Sequence, residues 1–236
     1  MIKCSILLAA MVSAVPGTAL AQAELCRLPA TMPRIEPDLP DAKQPRRVLP
    51  IGSYTLALSW SPEQCHGRER DPRERIQCGS GNRFGWVLHG LWPDGRGSEW
   101  PQYCRPTRLL TPAELRANLC MTPSPQLLQH EWAKHGTCMT RQPARYFTQA
   151  RRHYQRLRFP EMAALARGRT TAGALVDAFV RINPGWRADM VRVRTNRQGW
   201  LDELWLCMDV RQRPVRCPAH QTGAADQTVL KIRPIN

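Results

Sequence analysis

The sequence predicts a single α+β domain held by disulfides. Three observations lead there. Period-2 apolar segments stand on either side of a helical middle instead of alternating with helices, as a doubly wound sheet would require. Hydrophobic residues make up 42% and charged residues 22% of the 236-residue chain, the balance of a globular protein and not of a disordered one. Nine cysteines are present, and eight of them follow an export signal.

The signal occupies residues 1–21. Lys3 supplies its positive end, residues 6–15 its short apolar stretch, and Ala19-Leu20-Ala21 a small-residue cleavage site before Gln22. That stretch is too short for a membrane anchor, and no run of 18 apolar residues follows. Residues 22–50 form a proline-rich arm with Pro29, Pro33, Pro37, Pro40, Pro45 and Pro50, extended and without a core of its own. The folded domain is expected over 51–236.

Within it, Ser53–Trp60 places Tyr54, Leu56, Leu58 and Trp60 on one face, the pattern of a strand. Residues 61–83 are polar and flanked by Cys65 and Cys78, which reads as a stapled loop. A second strand over 84–89 runs into a turn-forming stretch, Gly90-Leu91-Trp92-Pro93-Asp94-Gly95. Thr111-Pro112-Ala113-Glu114 has a cap, a first-turn proline and an early acid, the start of a helix. Further helices are predicted over 125–134, with Gly136 as the stop, over 146–157, and over 171–182 before Asn183-Pro184-Gly185. Strands return over 190–195, 201–210 and 229–232.

Lys plus Arg number 34 against 19 Asp plus Glu, a net charge of +15 that concentrates polyanions such as nucleic acid around the protein. The eight exported cysteines are Cys26, Cys65, Cys78, Cys104, Cys120, Cys138, Cys207 and Cys217. An even count in an oxidising compartment implies disulfides, and no pair has the C-x-x-C spacing of a zinc site. Eight cysteines allow 105 pairings, among which spacing cannot choose.

Two segments carry chemistry. His89 ends an apolar strand at a turn, where a side chain projects into a cleft, and Trp92 and Asp94 follow it. An indole can stack on a base, and a carboxylate can accept from an exocyclic amine. The second segment is His130-Glu131-Trp132-Ala133-Lys134-His135-Gly136. Its histidines stand at i and i+5, about 140° apart on a regular α-helix, so they cannot chelate one ion as the i, i+4 pair of a zinc protease does. His130 with Lys134 and Glu131 with His135 line up instead, while Trp132 and Ala133 face the core. Lys134 and a protonated histidine suit the charge that builds on a phosphodiester's oxygens, and a second histidine can move protons near neutrality.

Both segments, His89 to Asp94 and His130 to Cys138, resemble without a gap the two active-site segments of the ribonuclease T2 family, secreted endoribonucleases that use no metal. A weaker resemblance runs from Tyr54 to Cys217 and leaves out the arm and the last 19 residues. It implies an antiparallel sheet cradling the two segments. It implies His135 as general base on the 2′-hydroxyl, His89 as general acid on the 5′-oxygen, His130 on the phosphate, and Glu131 with Lys134 on the charged intermediate. Base and acid can be exchanged without conflict with the sequence. Trp92 and Asp94 match positions for the first base, and Trp100 a second aromatic. The resemblance implies bridges Cys65–Cys78, Cys104–Cys138 and Cys207–Cys217, with Cys26 and Cys120 left over. Leu127 and Leu128 stand where an aromatic would stack the second base, and 190–195 lacks a cysteine that many relatives carry.

The implied activity is cleavage of single-stranded RNA, without cofactor and without cutting DNA, by an exported monomer that keeps no membrane contact once its signal is removed. Its place is the periplasm in preference to the medium. The alternatives are a silent RNA-binding protein on the same scaffold and a metal-dependent nuclease. The first sits poorly with two intact histidines, the second with the absence of a carboxylate cluster.

Overall fold

The computed structural model describes residues 23–79 and 81–235. The expected signal, 1–21, lies outside them. The described residues open on a short strand, β1 (Ala23–Leu25), followed by the arm. β2 (Ser53–Trp60) follows, then two short helices, α1 (Ser61–Cys65) and α2 (Arg75–Cys78), inside the stretch read as a loop. β3 (Arg83–Phe84) pairs with β1, so Phe84 belongs to a separate ribbon and not to the strand that follows. That strand is β4 (Trp86–Asp94).

β4 is longer than its sequence suggests. Residues 90–94, expected to turn, continue the ladder with β2 from Ala57↔Gly90 to Ser53↔Asp94. Pro93 is tolerated there because β4 is an edge strand, where a missing N–H need not break a ladder.

The middle of the chain is helical. Thr111 caps α3 (Pro112–Arg116) through a capping box with Glu114. α4 (Pro125–His130), capped by Ser124, passes into a π-helical turn over Glu131–Gly136 and then α5 (Thr137–Met139). α6 (Pro143–Arg156), α7 (Met162–Arg167) and α8 (Ala172–Ile182) follow. β5 (Val191–Thr195) and β6 (Leu201–Met208) complete an antiparallel sheet of order β4-β2-β6-β5. The strand expected over 229–232 reduces to single bridges, Val229 to Thr171 and Lys231 to Trp200, although Leu230 and Ile232 still reach the core.

One face of this sheet is dry. Leu56, Leu58 and Trp60 of β2, Val191 and Val193 of β5, and Leu204 and Leu206 of β6 pack with Tyr146 and Phe147 of α6 and Leu175 and Phe179 of α8. The other face carries the polar halves of the same period-2 patterns. Thr55 and Ser59 lie beside Cys207 and Glu203, their ladder partners. The bridges are Cys26–Cys120, Cys65–Cys78, Cys104–Cys138 and Cys207–Cys217.

The arm is strapped down and not a free linker. Arg116 donates to the carbonyls of Pro29 and Ala30, Gln126 pairs with the backbone of Glu36, and Arg47 bridges to Gln102.

Candidate active site

β4 builds half of the site by breaking its own regularity. Ala57 pairs with Gly90 and Leu58 with Leu88, so His89 is an extra residue in the ladder, a β-bulge. In an unbroken strand residues three apart face opposite sides. Here Leu88 and Leu91 both enter the core, while His89 and Trp92 emerge together on the polar face with ring centroids 5.0 Å apart.

Two carboxylates hold His89. Its Nδ1 lies 2.5 Å from Glu203 Oε1, which also accepts from Ser59 Oγ at 3.0 Å, and its Nε2 lies 3.6 Å from Glu131 Oε1. Burial pulls the pKa of His89 down, but the hydrogen bond to Glu203 and the charges of Glu131 and Glu203 outweigh it, and the net shift is upward. On Glu203 burial works upward and loses to His89, so the carboxyl sits below its ordinary range.

The π-helical turn supplies the other half. Its hydrogen bonds run i to i+5, so residues five apart return to one side. His130 and His135, separated by α-helical arithmetic, come together with ring centroids 6.3 Å apart. His130, Glu131 and His135 each offer a ligand atom within 4.8 Å of the others, so the spacing argument against a shared ion fails on this backbone. Glu131 and His135, an expected i, i+4 pair, are both members of this group.

Glu131 is buried. Its Oε2 accepts from Trp92 Nε1 at 2.8 Å and from Tyr146 Oη at 3.4 Å, while its Oε1, the atom facing His89, has no hydrogen bond. Burial raises its pKa against the pull of His89 and His130. A Cβ at position 90 would overlap this carboxylate, which is why the bulge needs glycine there. His135 stacks on Trp92, centroids 5.6 Å apart and planes at 29°. Burial, then the charges of Lys134, His130 and His89, hold its pKa well below the ordinary value. Lys134 is likewise lowered by burial, against Glu131 and Asp38.

Trp92 thus separates a histidine pushed toward its charged form from one pushed toward its neutral form. Beside it opens a cavity of about 400 Å³ lined by Trp92, Asp94, Trp100, Trp205 and Gln221. Asp94 is anchored through Oδ2 by Thr55 at 2.7 Å and Gln221 at 3.3 Å. Trp100 stands at the rim, 42% exposed. His89, Trp92, Asp94, Trp100, His130, Glu131, Lys134 and His135, singled out in the sequence, lie in or against this region, whereas the bridged Cys65 and Cys78 line another cavity.

Sequence reading missed four residues. Glu203 and Trp205 share one face of β6, and the alternation in Leu201–Met208 could have separated them from Leu204 and Leu206. Gln221 follows the matched region, and Asp38, 2.8 Å from His130, precedes it. Neither has a local signal.

Fold and site together define a disulfide-bonded α+β protein with opposed histidines beside an aromatic cavity. Residues 51–217 match the ribonuclease T2 family, and the chain belongs to it. A probable ribonuclease of Haemophilus influenzae is 30% identical over 179 residues, 71% of this chain and 61% of that protein. A ribonuclease of Aeromonas hydrophila is 45% identical over 85 residues, 36% of each chain. The chain thus spans less than two thirds of the length of either relative. Among solved structures, trichomaglin, described as a novel S-like ribonuclease, superposes with a TM-score of 0.62 at 20% identity over 78% of this chain and 98% of its own, a likeness of fold.

Proposed function

We propose that the protein is an endoribonuclease that cleaves single-stranded RNA in two steps. The substrate's 2′-hydroxyl attacks the adjacent phosphorus, its proton passing to His135. The bond from phosphorus to the 5′-oxygen breaks, and His89 protonates the departing oxygen. A 2′,3′-cyclic phosphate results. Water then opens it to a 3′-phosphate with the two histidines in exchanged roles.

The observation that carries this reading is the contrast across Trp92. A general acid must hold a proton that the general base lacks, and environments that push two pKa values apart assign those roles. His89, between Glu131 and Glu203, is the acid, and His135, buried beside Lys134, is the base. Lys134 and His130 stabilise negative charge on the phosphate oxygens. Trp92, Asp94 and Trp205 frame the first base. The nucleophile belongs to the substrate, so neither an enzyme nucleophile nor a metal is required.

Four disulfides fit an oxidising compartment, and export to the periplasm as a monomer is part of the proposal. Among the described residues no helix is long and apolar enough to cross a membrane. The test uses single-stranded RNA and single-stranded DNA in excess EDTA, with products resolved by chromatography. RNA is expected to yield a cyclic phosphate, while DNA is bound and left intact. Cleavage of DNA at a comparable rate would overturn the proposal.

A further inference from the structure

The matched family region begins at residue 51, yet a carboxylate from before it enters the site. Asp38 Oδ2 lies 2.8 Å from His130 Nδ1, and Tyr103 Oη donates to the same oxygen at 3.2 Å. The contact is braced on every side. Pro37 and Pro40 flank Asp38 and restrict the backbone around it. Gln126 clasps the backbone of Glu36 through both amide atoms, at 2.9 and 3.1 Å. Met32 and Ile35 pack on the core, and Cys26 ties the start of the arm to Cys120. Tyr103 adopts φ +49°, a left-handed conformation unfavourable for a bulky residue, with its ring buried.

We propose that Asp38 is a positioning residue for His130 and that the arm is a working wall of the phosphate site. The inference rests on His130 being the phosphate ligand. A carboxylate on Nδ1 fixes the ring's tautomer and orientation and leaves Nε2 as the nitrogen that can face a phosphate oxygen. Asp38 is suited to this because it stays ionised. Burial works upward on its pKa, but the hydrogen bond and charge of His130 prevail. The charges gathered around the contact are Asp38 with Asp41 and Arg47 from the arm, and Glu131, Lys134 and His135 from the helical segment. Among these groups of both signs, Asp38 is the carboxylate in direct contact with His130.

The experiment compares the full-length mature enzyme with Asp38→Ala, Asp38→Asn, His130→Ala and the double variant Asp38→Ala/His130→Ala. It reads kcat and KM on a dinucleoside phosphate, the inhibition constant of inorganic phosphate, and Tm. Asp38→Ala should raise KM and the phosphate inhibition constant about 3- to 10-fold, below the full worth of a charge-assisted hydrogen bond because both partners are partly exposed. Its kcat should stay within about twofold. Asp38→Asn, which keeps an acceptor and loses the charge, should fall between Asp38→Ala and the wild type. In the His130→Ala background, Asp38→Ala should add nothing to either constant. Unchanged KM and phosphate inhibition in Asp38→Ala, with His130→Ala impaired, overturns the positioning role alone. An Asp38→Ala effect of equal size without His130 also overturns it. If His130→Ala itself leaves both constants unchanged, the phosphate reading fails and takes this inference with it.

Discussion

At the scale of single residues, the proposed roles depend on what each histidine leans on. His89 has its Nδ1 on Glu203 and its Nε2 toward Glu131. Glu203→Gln removes one negative charge and keeps a polar partner of similar shape. The upward shift on His89 then shrinks. A general acid acts only while protonated, so activity below the His89 pKa persists and activity just above the new, lower value is lost. The alkaline limb of the kcat/KM profile is therefore expected to move to lower pH, with the acid limb, set by His135, in place. A pH series on a dinucleoside phosphate checks this, and movement of the acid limb instead would reverse the two roles. The histidines were legible in the sequence because each lies in a short, unusual segment. Glu203 was not, because it is 114 residues from His89 and meets it only through strand register. Asp38 was hidden for a similar reason, since a proline-rich stretch shows no sign of what it will be folded against.

At the scale of elements, two irregularities assemble the site, and both escape ideal periodicity. The bulge at His89 inverts the alternation of β4 partway along, and the π-helical turn moves the helical register from four to five. A regular strand would leave His89 and Trp92 on opposite faces, and a regular α-helix would part His130 from His135. Sequence arithmetic picked out residues that do converge but set His130 and His135 apart, because it assumes the periods these elements break. Gly90 is where the two irregularities meet, since it admits Glu131 against the bulged strand. Gly90→Ala drives a methyl group into a buried carboxylate that already accepts from Trp92. Overpacking of this kind costs about 1–3 kcal/mol. The variant is expected to lose stability by that order in urea unfolding, and to lose kcat beyond what the unfolded fraction explains. Stability and kcat at the wild-type level would mean that Glu131 has room to retreat and that its position is not critical.

At the scale of the whole molecule, the layered plan was readable from composition and alternation. The dry face of the sheet is the apolar half of patterns already visible in Ser53–Trp60 and Leu201–Met208. What could not be read was where the positive charge would gather. Arg194 lies over Trp205 at 4.4 Å and Arg47 over Trp100 at 5.1 Å, and both indoles line the cavity. Two cations thus stand beside the cavity, Arg47 in an ion pair with Glu99, and under the proposed function they would meet a strand longer than the bond being cut. A protein that neutralises phosphates of a single strand releases counterions, and log affinity falls with log salt by roughly 0.7 for each phosphate contacted. A dinucleoside phosphate presents one phosphate, at the reacting centre, whereas long RNA can also engage the flanking arginines. KM for long single-stranded RNA is therefore expected to rise with added salt much more steeply than KM for a dinucleoside phosphate, while kcat changes little for either. Steady-state kinetics across a salt series gives both slopes. If they are equal, the flanking arginines do not hold the strand, and the charge outside the cavity serves solubility instead of substrate capture.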